Sequence, residues 1–224
     1  MSLQQIINSA QQIEIDRRKM AAQTISRSQR IKTAERATAQ PWRFNVTPPG
    51  SLDWASSRGF IEVIDFNDRV TEYEISLNGR AGMNYITAYQ GNLTQAQLNA
   101  TTATAYTTST ITIGNLPAIG AAARQGAIST STVVFAAGDF IQPENSRYPY
   151  SVLETVYRGS TSSVIVNLNR AIITSENAVI TNAGIKVGNS VTWRVVVVGL
   201  PTYTLVPMQR IQYNGTFDLV EKII

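Results

Sequence analysis

Apolar positions change their spacing along this chain of 224 residues. Residues 3–36 contain no Pro or Gly, and Ile6, Ile13 and Met20 recur every seven residues, with Leu3 and Ala10 between them. That spacing puts a thin apolar stripe on one face of a helix. Arg17, Thr24 and Arg27 interrupt the stripe, which decays after Met20. The segment reads as one long N-terminal helix, ~50 Å at 1.5 Å per residue. A helix this thinly striped is marginal alone and needs a surface, its own body or a neighbouring subunit. Pro41 and then Pro48-Pro49-Gly50 end it.

From Trp42 and Phe44 onward the chain reads as extended and the apolar period falls to two. Arg69 to Leu77 alternates and runs into Asn78-Gly79, a half-buried strand ending in a turn. Residues 92–113 carry eight threonines, and Thr107 to Ile113 alternates. Ser131 to Phe135 is a further strand. Leu153–Arg158 and Ser163–Asn169 flank Gly159-Ser160-Thr161, a hairpin signal. Val191–Val198 is rich in β-branched residues and reads as buried. Tyr203–Val206, Gln209–Tyr213 and Thr216–Val220 follow, and Asn214-Gly215 is the strongest hairpin signal in the chain. The expected organisation is a helical arm, residues 1–40, before a β-rich body, residues 41–224. The body is an antiparallel β-sandwich or barrel.

Composition removes chemistry from the picture. The chain has no cysteine and no histidine. Disulfides, thiolate catalysis, Ser-His-Asp triads and typical zinc sites are therefore closed to it. Carboxylates are the only catalytic candidates left. Glu62, Asp65 and Asp68 cluster, and Glu72 and Glu74 share one strand face. Two carboxylates can hydrolyse glycosides, but such spacing more often marks a solvated face. Asp65-Phe66-Asn67-Asp68 lacks the glycine and distal glutamate of a calcium loop, and Gly184-Ile185-Lys186-Val187-Gly188 reads as an inter-strand loop without phosphate-loop spacing. No catalytic group, metal or cofactor is expected.

Charge is sparse, 15% of residues, with a net +4. Residues 1–40 hold seven Lys or Arg against three acids, which accounts for all of the excess. The arm lacks aromatics, and Glu14, Asp16 and Glu35 dilute it. A solvated helix or one docked on an acidic partner protein fits better than a nucleic-acid binder. A low-charge chain covers part of its surface with partners. No leading apolar segment suggests secretion, and the longest apolar run, around Val195–Leu200, is far short of the ~20 residues of a membrane span.

Several strings in the body look familiar together. They are Gly138-Asp139-Phe140-Ile141-Gln142-Pro143, Arg147-Tyr148-Pro149-Tyr150, Val156-Tyr157-Arg158-Gly159, Leu168-Asn169-Arg170, Val191-Thr192-Trp193, Pro201 to Pro207, Asn214-Gly215-Thr216-Phe217 and Leu219-Val220-Glu221. With Trp42-Arg43-Phe44, Val46 to Gly50 and Asp68-Arg69-Val70, they resemble the tube-initiator or distal-tube proteins of contractile-tailed bacteriophages, over roughly residues 41–224. The N-terminal arm is outside the likeness.

The resemblance implies a tube-type β-sandwich that joins in a homohexameric ring, its sheets continuing into a closed barrel around passing DNA. The partners it implies are further copies of the chain, the adjacent tail tube ring and baseplate hub proteins, with tape measure or sheath protein in addition, and no membrane. The place it implies is the virion tail, assembled in the host cytoplasm. Under it the subunit interface falls to Val191, Trp193, Val195, Val197, Tyr213 and Phe217. Arm docking falls to Leu3, Ile6, Ala10, Ile13 and Met20 with Arg17 and Arg18. The competing reading is a carbohydrate-binding β-sandwich module of a phage tail, with Tyr148 and Tyr150 beside Pro149 as its loop aromatics.

Overall fold

The computed structural model describes residues 3–18, 21–25, 31–35, 40–67, 70–80, 82–174 and 180–223. The chain opens on helix α1 (Leu3–Ser9), then strand β1 (Gln12–Asp16). β2 (Ala21–Ile25) and β3 (Ile31–Glu35) pair with each other. β4 (Arg43–Thr47), β5 (Leu52–Asp53), helix α2 (Trp54–Asn67) and β6 (Tyr73–Ile75) follow. The middle of the chain holds helix α3 (Gln95–Ala100), β7 (Thr102–Tyr106), β8 (Thr110–Gly114), β9 (Val133–Phe135) and β10 (Phe140–Pro143). It continues with β11 (Tyr150–Ser151), β12 (Val156–Tyr157), β13 (Val164–Asn167) and β14 (Ile185–Val187). The chain finishes on β15 (Trp193–Gly199), β16 (Thr202–Val206), β17 (Arg210–Asn214) and β18 (Phe217–Glu221).

The fold is mainly β, and the strand pairs are antiparallel. The largest sheet has five strands in the order β1-β4-β18-β15-β6. Its strands alternate in burial: Phe44, Val46, Trp193, Val195, Val197, Phe217 and Leu219 face inward and are buried, and in the valine run that reads as buried Val198 is instead exposed. The aromatic centre of this core is Trp42, Phe44, Phe140 and Trp193, with ring centroids 5.5–5.7 Å apart for Trp42–Phe140, Trp42–Trp193 and Phe44–Trp193. Tilted and edge-on packing of this kind favours the rings electrostatically. Leu3, Ile6, Ile7 and Ala10 close the same core.

The long N-terminal helix is not formed. Helix α1 has seven residues, and β1 then pairs with β4 from Gln12↔Thr47 to Asp16↔Arg43. The physical reason is in Gln12-Ile13-Glu14-Ile15-Asp16. Its strict alternation suits a sheet edge, and the seven-residue recurrence of Ile13 behind Ile6 only mimicked a helix. The stripe Leu3, Ile6 and Ala10 is real, but this chain's own core buries it at 0–1% exposure. Ile13 packs partly buried against that core. Met20 lies outside the described residues.

A second core is built from the middle of the chain, between Leu93 and Val187. It lies among the sheets β13-β8-β7, β11-β10-β14 and β12-β9. Strand β10 is buried on both faces and joins the cores: Phe140 belongs to the first, Ile141 to the second. The sheets among the described residues do not close into a barrel.

Two turn signals resolve differently from expectation. Asn214-Gly215 is no hairpin: β17 pairs with β16 and β5, while β18 pairs with β15 and β4. Gly215, at φ 108°, turns the corner between two sheets, a conformation only glycine adopts without strain. Gly159-Ser160-Thr161 joins no hairpin either, because β12 pairs with β9 and β13 with β8. Residues 185–187, expected as loop, form β14 against β10. Helices α2 and α3 were not foreseen.

Candidate assembly surface

The residues expected at a subunit interface are core residues of a single copy. Val191, Trp193, Val195, Val197 and Phe217 are at most 2% exposed. Strand β15 sits between β18 and β6, pairing with β6 over Trp193–Val195 and with β18 from Val195 to Gly199. Tyr213 is half-buried, its ring centroid 6.2 Å from that of Tyr203 and 5.3 Å from that of Phe217. Of the arm's basic residues, Arg17 lies with its guanidinium 5.4 Å from the centroid of the Trp42 ring. Arg18 pairs with Asp16 across 3.0 Å, and that bond holds the Asp16 carboxyl below its ordinary range.

The surface that these residues leave open is the neighbouring hairpin. β16 and β17 pair in register from Thr202↔Asn214 to Val206↔Arg210, and β17 continues to β5. On its other side β16 has no partner strand among the described residues. Leu205 stands opposite Ile211 and so shares its face. Ile211 is fully buried in the first core, whereas Leu205 is 62% exposed. The hairpin therefore overhangs the core: its inner strand is covered and its outer strand is not. Tyr203 lies two residues away on the same face and is also exposed. Strand β16, Thr-Tyr-Thr-Leu-Val, carries no charge to blunt its edge. The sequence did hold this signal, since the five residues alternate and Pro207 bounds them, but the Asn-Gly pair drew the hairpin to the wrong side of β17.

The hairpin turns at Pro207-Met208-Gln209. Met208 and Gln209 have φ values of 66° and 60°, left-handed conformations that non-glycine residues adopt at a cost. The Gln209 carbonyl accepts a 2.7 Å hydrogen bond from Trp54 N–H, which fixes the turn to the start of α2. Met208 at the tip is 91% exposed.

Several charged groups elsewhere are held by specific partners. Arg170 makes a buried bidentate pair with Glu221 and also donates to the carbonyls of Gln40 (2.9 Å) and Pro149 (2.7 Å). Glu221 in turn accepts from Trp42 N–H at 3.1 Å. Glu72, one of the carboxylates weighed for catalysis, hydrogen-bonds Lys222 and lies 3.7–3.8 Å from Arg194 and Arg147. The Lys222 bond leads the causes that lower its pKa. Glu74 stands opposite Arg194 in the sheet, and Glu62 lies on α2; Asp68 is outside the described residues. Asp139 accepts from the N–H groups of Gln90 and Ala136, both at 2.8 Å, and burial pushes its carboxyl up despite them. Among the described residues no three carboxylates group in a way that holds a metal ion. No described helix is long and apolar enough to cross a membrane. Tyr148 and Tyr150 are buried at 2% and 0% exposure, and the Tyr150 hydroxyl accepts from Ile173 N–H. They hold a loop in place and offer no face to a sugar.

No protein-family model matches the chain, and no characterised protein matches it in sequence.

Proposed function

We propose that this chain is a structural, non-catalytic virion protein that forms a ring of a contractile phage's tail tube at the baseplate junction. The ring would template the tube above it and line the DNA channel. One observation carries the reading: strand β16 is an uncharged edge with its apolar side uncovered. Such an edge invites aggregation unless another strand or subunit covers it. Pairing β16 with a neighbouring copy supplies that cover and continues the sheet from subunit to subunit, the arrangement that the sequence resemblance implies. This moves the proposed contact from the Val191–Val198 strand to the strand that follows it.

Negative-stain imaging of the purified full chain tests the reading. Rings of uniform diameter are expected from the wild type and none from Leu205→Lys, which puts a charge on the open face. A wild type that images only as single particles at every concentration contradicts it. A glycan array separates the carbohydrate-binding alternative, for which saturable sugar binding is required.

A further inference from the structure

The strand pairs β2–β3 and β1–β4 are nested. Asp16 stands opposite Arg43 at the last rung of β1 and β4, and the chain between those two residues contains β2 paired to β3, from Ala21↔Glu35 to Ile25↔Ile31. Both pairs therefore belong to one hairpin, entered through β1 and left through β4. β1 and β4 are held in the five-stranded sheet, whereas β2 and β3 pair with each other alone among the described strands. A two-stranded sheet is marginally stable by itself in water, so a surface that binds this ribbon also stabilises it.

The fold also sorts the charge. Along the sequence Glu14 and Asp16 dilute the basic residues that follow them, but both acids lie on β1, inside the five-stranded sheet. Arg18 is bonded to Asp16, and Arg17 lies against the Trp42 ring. Beyond them, residues 19–36 hold Lys19, Arg27, Arg30, Lys32 and Arg36 against Glu35 alone. Five basic residues against one acid leave +4, the net charge of the whole chain, and the rest of the chain holds fourteen of each sign. The cationic excess is therefore confined to the ribbon and its connections.

We propose that the β2–β3 ribbon binds the phosphate backbone of duplex nucleic acid. Duplex DNA carries one charge per about 1.7 Å of axis and releases counterions to a cationic partner. Its major groove, about 12 Å wide, admits a two-stranded ribbon. Among the basic residues the segment is polar, with Gln23, Thr24, Ser26, Ser28, Gln29 and Thr33, residue types that hydrogen-bond phosphate and sugar oxygens. Residues 19–36 contain no aromatic, which removes the stacking that holds single strands and leaves the duplex backbone, bound without preference for sequence. A second copy of the chain does not match the charge, since it is neutral outside its own ribbon. An acidic protein surface matches the sign but offers neither the groove nor the charge density. The contact is separate from the β16 edge and does not depend on the ring.

Fluorescence anisotropy of a labelled mixed-sequence DNA duplex, titrated with the full chain, tests the proposal. With about four cations engaged, affinity should fall roughly a hundredfold between about 50 and 200 mM salt. Arg27→Gln, Arg30→Gln and Lys32→Gln together should weaken binding by roughly tenfold or more at the lower salt and flatten its salt dependence. Arg58→Gln with Arg210→Gln, which removes two exposed cations of the body, should leave both unchanged. Circular dichroism accompanies each variant, and polyglutamate serves as a competitor that should displace little of the duplex. A folded ribbon variant that binds as the wild type does, or a body variant that loses as much, overturns the proposal. Polyglutamate bound as tightly as the duplex overturns it in favour of an acidic protein partner. Wild-type rings that bind no duplex overturn this inference and leave the ring reading standing, whereas a wild type that binds duplex as a monomer overturns the ring reading alone.

Discussion

Arg170 and Glu221 are the residues on which the two cores depend together. Their pair is nearly sealed from water, with side chains 5% and 0% exposed, and the two terminal guanidinium nitrogens also donate to the carbonyls of Gln40 and Pro149. Removing one partner of a buried pair leaves the other charge without compensation, at about 3–5 kcal/mol. Arg170→Ala should therefore lower unfolding free energy by about that amount in urea titrations. Arg170→Met with Glu221→Leu should recover much of the loss, since an apolar replacement leaves no orphan charge. Asp139 makes a different forecast. Burial raises its carboxyl pKa above the ordinary 3.8, so the folded chain holds the proton more tightly than the unfolded one. That contribution is fully present below the unfolded value and is lost as pH rises through the folded one. Unfolding of wild type and Asp139→Asn, measured from pH 3.5 to 7, should show the stability of wild type relative to the variant falling with pH. A rise would contradict the assignment.

At the scale of elements, what was legible followed burial. The alternating strands around Phe44, Val195 and Leu219 were readable because one face of the sheet is wet and the other dry. Helix α3 was missed although Thr94 and Gln97 form a reciprocal capping box, because the density of threonines around it reads as strand or loop. Helix α2 was hidden by Gly59 in its middle, although Asp53 accepts from Ser56 N–H as an N-terminal cap does. The N-terminal segment misled because a seven-residue recurrence fits a helix and, over a short span, also fits a helix followed by a strand. Partnerships between strands were not legible, since the Asn-Gly turn has the same local chemistry whether it makes a hairpin or a corner. The burial of Ile6 at 0% gives the consequence. Ile6→Ala should cost about 2–5 kcal/mol in urea unfolding, as core truncations do. An arm that merely docked on another chain would leave the monomer's stability unchanged.

For the whole molecule, the uncovered hairpin is the feature that a solitary globular protein does not need. In the proposed assembly, a ring of copies would cover the bare outer strand of the hairpin, and the assembled geometry, not a reactive group, would perform the function. Such a function would need no histidine or cysteine, and the chain has neither. The claim concerns one edge, and amide hydrogen exchange reads that edge directly. Full-length protein should be followed by mass spectrometry at a dilution where it is monomeric and again where it is assembled. The account predicts that amides of Thr202–Val206 slow by about tenfold or more on assembly, while those of Trp193–Gly199, a strand already held between β18 and β6 of its own copy, keep their rates. Assembly that leaves Thr202–Val206 exchanging at the monomer's rate would contradict it.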